Sequence, residues 1–450
     1  MTEASQYAAG WSDRRLKMVA ELRTSNVDKN SSEDEHPVRL CNYTDVYYSS
    51  VIDDPSEFMK ATATHDEIRR FCLRRGDVLI TKDSETADDI AVPAHVARDL
   101  DDVLCGYHLA ILRPRHELVG RYLYYALLTG RVRDQFTLGA NGITRFGLSQ
   151  GSIKDVRVPV PVVETQCSIA SFLDRETTRI DTLTEKKRWL LGLLEEKRTA
   201  LITRAVTQGL DQNVPMKDSG VEWLGEIPAH WEVVPVRALY RRVKRQGHPT
   251  ETILSVYREH GVIPKESRDD NANRTPDDLT VYQLVKPADL VINKMKAWQG
   301  SLGVAATRGI TSPDYVVYSP VRLADPKYIH HLLRCHRLPS VYQRLSNGIR
   351  PNQWRLDPSS FERLLIPLPP EDEQKEISSF LNDELERIAA LVDRVSDAVA
   401  ALQEYRTALI SMAVEGAIDV KNGGEESREG HTPILQNHLH SEMGTHETVR

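Results

Sequence analysis

The second half of the chain contains a loop whose side chains are suited to binding nucleic acid. A strand-like run beginning at Asp289 leads into Lys294, Lys296, Trp298 and Gln299 within six residues. Lysine can contact phosphates or guanine, and glutamine can pair bidentately with adenine. A second loop, residues 347–354, adds further polar candidates: Arg350, Asn352 and Gln353. We predict that both loops contact DNA.

The first half of the chain has counterparts of these loops. Residues 81–85 carry Lys82 and Ser84, and residues 141–145 carry Thr144 and Arg145. A single polar loop is usually only solvated surface, but recurrence at matching places favours a binding role. The basic run at residues 241–245 fits either a strip facing phosphates or the polar face of a helix.

Motifs for catalysis are missing from the sequence. There is no G-x-x-x-x-G-K-[ST] loop, no G-x-G-x-x-G, no H-E-x-x-H and no G-x-S-x-G. The [DN]-P-P-[YFW] tetrapeptide of amino-methyltransferases is also missing, because Pro369-Pro370 lies between Leu368 and Glu371. We therefore predict a non-enzymatic chain without a cofactor or metal site. A cryptic nuclease or methyltransferase would require a motif that is not recognisable here.

The histidines have two interpretations each. A cluster in the stretch 328–337 has the i,i+4 spacing of metal ligands, but its apolar pattern favours an ordinary amphipathic helix: His330, His331, Cys335 and His336. The histidines after residue 421 are more consistent with the composition of a polar tail.

An internal duplication organises the chain. Residues 159–211 and 367–419 align without a gap, 208 positions apart, and 21 of the 53 positions are identical. Both copies begin Pro-x-Pro-x-x-x-x-Gln, with Gln166 and Gln374 in the last position. Upstream, the spacing drifts between two regions that we call the first head, residues 11–152, and the second head, residues 231–360. Two fixed helices and two variable heads predict a device that holds two reading modules a set distance apart.

Each copy of the repeat predicts one long helix, the first over about residues 164–207. Apolar residues alternate at spacings of four and three along both copies, which is the a/d pattern of a coiled coil. Two matching seams in one chain can bury each other as an antiparallel pair. The alternatives are that each helix packs on its own head or pairs with another chain.

Charge is unevenly distributed along the chain, whose formal net charge is −7. The second head has 20 basic and 12 acidic residues, whereas residues 371–397 have nine acidic and three basic ones. The first head is nearly balanced, with 19 basic and 22 acidic residues. A basic head attached to an acidic helix is typical of a protein that attracts phosphates through the head alone.

The remaining composition favours a cytoplasmic protein without a membrane span. The five cysteines are scattered without C-x-x-C spacing, as expected in a reducing compartment. No apolar run approaches the ~20 residues that span a bilayer, and the N-terminus lacks the pattern of a secretory signal.

These motifs together resemble the specificity subunit of type I restriction-modification systems, the HsdS family. The resemblance is carried by residues 218–232, which read DSGVEWLGEIPAHWE, by residues 291–300, which read VINKMKAWQG, and by the two Pro-x-Pro-x-x-x-x-Gln starts. It implies two α/β (α+β) target recognition domains joined by two long helices that form an antiparallel coiled coil. The implied segments are a first recognition domain (residues 1–157), a central helical spacer (158–211), a linker (212–222), a second recognition domain (223–365), a C-terminal helical spacer (366–420) and a disordered tail (421–450).

The resemblance also implies function and partners. Each recognition domain would read one half of a split, asymmetric site in double-stranded DNA, and the helices would set the gap and dock two modification subunits. We predict that seam residues of the helices take part in docking: Ile180, Leu194, Leu201, Ile388, Leu402 and Leu409. S-adenosylmethionine, ATP and magnesium would be bound by the modification and restriction subunits. The main alternative is a coiled-coil scaffold with two protein-binding heads.

Overall fold

A computed structural model describes residues 10–54, 58–268, 275–348 and 354–420. The chain divides into two compact units. The first contains Met1–Lys186 and Ala398–Arg450, and the second contains Lys187–Asp397. The predicted loop residues Arg350, Asn352 and Gln353 and the predicted tail lie outside the described residues.

The first unit contains fourteen strands among its described residues. They are β1 (Ser12–Arg15), β2 (Ala20–Thr24), β3 (His36–Cys41), β4 (Val51–Ile52), β5 (Met59–Ala63), β6 (Cys72–Leu73), β7 (Val78–Thr81), β8 (Asp83–Ser84), β9 (Pro93–Val96), β10 (Leu100–Cys105), β11 (Leu109–Pro114), β12 (Ala140–Asn141), β13 (Phe146–Leu148) and β14 (Arg157–Val160). The larger sheets have the orders β2-β11-β7-β9-β4 and β5-β3-β10-β6.

Short helices cover this first sheet system. They are α1 (Leu16–Val19), α2 (Tyr43–Tyr47), α3 (His65–Phe71), α4 (Gly120–Leu128), α5 (Gly130–Gly139) and α6 (Gln150–Asp155). One core cluster lies under α4 and α5, and a second fills the space around β3, β9 and β10. The mixture of strands and helices confirms the predicted α/β head.

The second unit repeats the arrangement with a smaller sheet. Its strands are β15 (Met216–Asp218), β16 (Glu226–Pro228), β17 (Glu232–Pro235), β18 (Tyr240–Val243), β19 (Leu254–Tyr257), β20 (Gly261–Pro264), β21 (Gln283–Val285), β22 (Leu290–Asn293), β23 (Leu302–Val304), β24 (Gly309–Thr311), β25 (Tyr315–Pro320), β26 (Ser346–Asn347), β27 (Arg355–Leu356) and β28 (Leu365–Leu368). Its helices are α8 (Val236–Leu239), α9 (Pro326–Leu333), α10 (Leu338–Arg344) and α11 (Pro358–Glu362), with 3-10 turns at Lys265–Ser267 and Ala297–Gln299. The largest sheet has the order β18-β25-β22-β23.

The basic run at residues 241–245 enters this sheet at its edge. Strand β18 covers Tyr240–Val243 and pairs only with β25 in the sheet order. The helical interpretation of this run is therefore wrong, because residues 240–243 form a strand that pairs antiparallel with residues 317–320.

Two long helices account for both copies of the repeat. Helix α7 spans Val163–Gln208 and α12 spans Glu371–Glu415. Each begins just after a proline and ends at a glycine with a left-handed backbone, Gly209 at φ +78° and Gly416 at φ +76°. The predicted long helices are confirmed.

Each unit pairs the beginning of one long helix with the end of the other. In the first unit, Arg406 Nε lies 2.9 Å from Asp181 Oδ1, and Leu173 shares a core with Val414. In the second unit, Val206 shares a core with Ile377. This is the antiparallel arrangement that the matching seams predict.

The segment predicted as a linker, residues 212–222, has regular structure. Strand β15 pairs antiparallel with β16, and Lys217 donates a hydrogen bond from Nζ to the Trp231 carbonyl at 2.7 Å. The predicted domain boundaries remain predictions, since the compact units divide each long helix between them. Among the described residues, no helix has the length and apolar character of a membrane span.

Candidate nucleic-acid interface

The first head brings its two predicted loops together. Strand β8 pairs with β13, so that Ser84 lies opposite Phe146 and Asp83 opposite Gly147. The Leu148 N–H also donates to the Lys82 carbonyl at 2.9 Å. The turn between β12 and β13, which carries Thr144 and Arg145, is thereby attached to the end of β7.

The predicted residues of this first loop pair differ in their access to solvent. Thr144 and Arg145 are exposed, Lys82 is partly buried, and Ser84 is 6% exposed. The Ser84 hydroxyl accepts a hydrogen bond from the Thr86 N–H at 3.4 Å. Its burial gives Ser84 a role in shaping the loop and offers no support for a direct contact with DNA.

The second head makes the same connection. The Leu356 N–H donates to the Lys294 carbonyl at 3.0 Å, which joins the end of β22 to strand β27. Lys294 and Leu356 therefore stand where Lys82 and Leu148 stand in the first head. Each head presents a strand-end loop beside a hairpin, although the loop sequences differ.

The second loop is closed by local hydrogen bonds. Asn293 Oδ1 accepts from the Met295 N–H at 3.1 Å, and Trp298 Nε1 donates to the Met295 carbonyl at 3.0 Å. The Trp298 ring meets the Trp354 ring edge to face, with centroids 5.3 Å apart. Lys296 and Gln299 point to solvent from this frame. Because the indole N–H is already used, Trp298 offers a ring surface and not a hydrogen bond.

A buried carboxylate anchors the strand behind each loop. Asp77 and Asp289 stand directly before β7 and β22, and each is 1% exposed. Asp77 accepts two hydrogen bonds from Arg113, both at 2.7 Å, and the pKa of Arg113 is raised by this carboxylate. Asp289 is paired with Arg245 instead. Breaking such a pair leaves an uncompensated charge, so both pairs are expected to hold their strands firmly.

Within the basic run, Arg245 therefore has a structural role, which is to pair with the buried Asp289. The equivalent aspartates receive their arginines from different strands, Arg113 from β11 and Arg245 from the segment after β18. Sequence reasoning missed both pairs, because residues 36 or 44 positions apart give no local signal. Arg241, Arg242 and Lys244 remain exposed, with Arg242 Nε 3.3 Å from Glu362.

A glutamine attaches each head to its long helix. Gln166 is 0% exposed; its Oε1 accepts from the Val119 N–H at 2.7 Å, and its Nε2 donates to the carbonyls of Glu117 and Pro161, both at 2.8 Å. Gln374 is 2% exposed; its Oε1 accepts from the Asp325 N–H and its Nε2 donates to the Pro369 carbonyl, both at 2.8 Å.

A tyrosine adds a second attachment in each head. The Tyr122 hydroxyl donates to the Pro159 carbonyl at 3.0 Å, and the Tyr328 hydroxyl donates to the Pro367 carbonyl at 3.2 Å. The Pro-x-Pro-x-x-x-x-Gln motif thus supplies both the acceptor carbonyls and the glutamine that fix a head to its helix.

The predicted docking residues of the helices are largely enclosed. Four of them are less than 9% exposed, Ile180, Leu194, Ile388 and Leu409, and Leu201 and Leu402 are partly buried. Other apolar side chains of the helices are more accessible: Leu183, Trp189, Leu190, Leu193, Leu391 and Tyr405.

The histidine cluster is not arranged as a metal site. Among the described residues there is no group of three or more His, Cys, Asp or Glu side chains that could hold a metal ion. His330 and His331 lie in α9, where burial together with the Arg334 guanidinium lowers their pKa values to about 3 and about 4. Both imidazoles are therefore neutral at pH 7.

Comparison with known proteins supports the resemblance seen in the sequence. Residues 9–190 match a family model described as the type I restriction modification DNA specificity domain. The putative type I restriction enzyme MjaX specificity subunit of Methanocaldococcus jannaschii is 21% identical over 437 residues, covering 93% of this chain and 96% of that protein. The chain is thus similar to type I restriction-modification specificity subunits over most of its length.

Solved structures agree on the fold of this chain. A chain from a study of complex assembly and conformational transition in the type I R-M system has a TM-score of 0.66 at 16% identity, covering 91% of this chain and 99% of that one. The HsdS subunit from Thermoanaerobacter tengcongensis has a TM-score of 0.54 at 16% identity, covering 91% and 98%. The resemblance inferred from the sequence is confirmed, and the family is the non-catalytic DNA-recognition component of such systems.

Proposed function

We propose that each head of this specificity subunit reads one half of a split, asymmetric DNA site, and that the paired long helices set the gap between the halves. The observation that carries the proposal is the equivalence of the Lys82 and Lys294 loops, each joined to a hairpin by the same leucine hydrogen bond. Two unrelated surfaces would have no reason to share this construction. Different side chains on equivalent frames are what two different half-sites require.

The proposed partners are two modification subunits and the restriction subunits of the complex. The modification subunits would dock on the long helices, where exposed apolar side chains such as Trp189 and Leu391 are available. S-adenosylmethionine, ATP and magnesium would be bound by these partners and not by this chain. The complex would act in the cytoplasm, where its DNA is found.

Methylome sequencing tests the proposal directly. Cells that express this chain with its modification subunit are compared with cells that lack this chain. We expect a split N6-methyladenine motif that disappears when the chain is missing. If no motif depends on the chain although the modification subunit is present, the proposed reading of DNA is wrong.

Substitutions in the second loop test which residues read the site. Lys294→Ala or Gln299→Ala is expected to weaken binding to the cognate site by ~1 to 3 kcal/mol and to affect nonspecific DNA far less. Lys327→Ala is a matched control, because Lys327 is an exposed lysine of the same unit that lies in α9. Equal losses on both DNAs would mean that the loop contacts phosphates only.

A scaffold with two protein-binding heads would behave differently in salt. Neutralising phosphates releases counterions, so binding to duplex DNA falls steeply as salt rises. A protein-binding scaffold would show no such salt dependence, and its affinity for duplex DNA would stay weak at every salt concentration.

A further inference from the structure

Three tyrosines lie on helix α2 of the first head or directly after it; Tyr43 and Tyr47 are partly exposed. The Tyr43 and Tyr47 rings stack with centroids 5.5 Å apart, and the Tyr48 ring meets Tyr47 edge to face at 5.0 Å. Tyr48 is 80% exposed. Burial of Val46 and a capping box between Asn42 and Asp45 hold this short helix in place. Large aromatic side chains grouped on a surface mark interaction sites more often than isolated ones do.

A fourth tyrosine borders the same helix. Gly106 packs against Asn42, with a Cβ placed on the glycine lying 2.8 Å from the Cys41 carbonyl oxygen, so no larger residue fits. This close approach puts Tyr107, which is 38% exposed, beside the start of α2. We call Tyr43, Tyr47, Tyr48 and Tyr107 the tyrosine surface.

The tyrosine surface is continuous with the reading loop. Tyr43 lies within hydrogen-bonding reach of Ser84 and interacts electrostatically with Arg145. The residue after Tyr107, His108, accepts the Lys82 N–H through its carbonyl at 3.0 Å. Both loops that are proposed to contact DNA in this head therefore adjoin the tyrosines.

Three nearby carboxylates accept hydrogen bonds that hold these elements in place. Asp89 Oδ2 accepts the Tyr47 hydroxyl at 2.6 Å, which raises the pKa of Tyr47 to about 12, and Asp83 Oδ2 lies 2.6 Å from His108 Nδ1. Asp45 accepts the Asn42 N–H at 2.7 Å. These hydrogen bonds orient the rings and cap the helix.

The two heads differ in their overall charge. Lys296 and Gln299 are exposed around the Trp298 ring, and the head as a whole has 20 basic against 12 acidic residues. The first head has 19 against 22. A head without a positive surplus gains little affinity by neutralising phosphates, and another source of affinity is needed.

We infer that the tyrosine surface is a contact of the first head with the duplex DNA of its half-site. Ring faces would pack on deoxyribose and thymine methyl groups, and hydroxyls would bond phosphate oxygens or base edges. The inference rests on the proposed function and adds an asymmetry to it. The first head supplies affinity that depends little on salt, whereas the second head supplies most of the salt dependence.

The test measures binding of the assembled chain and modification subunits to a duplex carrying the methylated motif, across a series of salt concentrations. Tyr48→Ala is expected to weaken binding about tenfold, as for a central aromatic contact, while the slope of log affinity against log salt stays unchanged. Lys296→Ala is expected to reduce the magnitude of that slope by about one. Tyr48→Phe keeps the ring and separates ring packing from hydroxyl bonding.

Half-site substitutions locate the effect. Lys294→Ala identifies the half-site of the second head, because its discrimination is lost there. Tyr48→Ala must lose discrimination only at the other half-site. Met18→Ala is the matched control, since Met18 is 52% exposed in α1 of the same head and does not belong to the tyrosine surface. An unchanged Tm establishes that each variant is folded, and copurification with the modification subunits is measured separately.

The outcomes separate the two proposals. If Tyr48→Ala binds like the unsubstituted chain, or if it lowers the salt slope as a lost cation does, the tyrosine surface is not the contact described, while site-specific binding would still support the proposed function. A loss of copurification without a loss of DNA affinity would assign the tyrosines to a protein contact instead. If the unsubstituted complex shows no preference for the motif, both proposals fail.

Discussion

The buried glutamine at the start of each long helix allows a prediction of unequal destabilisation. Replacing Gln166 with leucine keeps its approximate volume but removes three hydrogen bonds, to Val119, Glu117 and Pro161. Replacing Gln374 with leucine removes two. A net ~1 kcal/mol for each bond lost gives about 3 kcal/mol for Gln166→Leu and about 2 kcal/mol for Gln374→Leu.

Hydrogen exchange measured by mass spectrometry can resolve these two losses, because each is expected in a different unit. In Gln166→Leu, amides of α4, Gly120–Leu128, should exchange roughly 100-fold faster, since ~1.4 kcal/mol corresponds to a factor of ten. In Gln374→Leu, amides of α9, Pro326–Leu333, should exchange about 30-fold faster. Gln403→Leu is the control, because Gln403 is exposed on α12.

The reasoning would be refuted by either of two results. Unchanged exchange in α4 of Gln166→Leu would mean that its three hydrogen bonds do not hold the head on the helix. Equal acceleration in both units by either variant would mean that the substitutions act through global unfolding and not through a local attachment.

Three further predictions follow from the helices and buried charges. Deleting four residues from the middle of α7 (Val163–Gln208) shortens it by roughly 6 Å and should shift the preferred gap between half-sites or abolish methylation; an unchanged gap would remove the spacer role. The pKa values of His330 and His331 are lowered to about 3 and about 4, so the unfolded chain binds more protons than the folded chain below pH 6.5. The free energy of unfolding, measured with urea, should therefore fall by about 2 kcal/mol for each histidine between pH 7 and pH 5. His330→Gln should flatten this pH profile. Asp289→Asn should destabilise the second unit by about 3 kcal/mol by leaving the Arg245 charge unpaired, and normal exchange protection of β22 in this variant would contradict that.

The long helices were the most predictable elements of this fold. Their apolar spacing recurs along helices of 46 and 45 residues, and the ends predicted at about residues 164 and 207 differ by one residue from those of α7. The predicted antiparallel pairing followed from two matching seams. Periodicity repeated over many turns averages out local exceptions, which explains the accuracy.

The loops were predictable as candidates but not as a site. Sequence reasoning matched the Lys82 loop with the Lys294 loop, yet only the fold places each beside a hairpin through Leu148 and Leu356. It missed the tyrosines of α2 altogether, because Tyr43 approaches Ser84 across 41 positions of chain. Contacts of this kind depend on sheet order, which a single sequence does not encode locally.

The attachment of the heads has an evolutionary consequence. Within the described part of the chain, Gln166 and Gln374 bond only to main-chain atoms of the heads and of the helix starts, and Tyr122 and Tyr328 donate to proline carbonyls. Main-chain donors and acceptors are present whatever side chains a head carries. A lineage can therefore diversify or exchange a whole head, and with it the DNA that is read, while the same joint continues to fit.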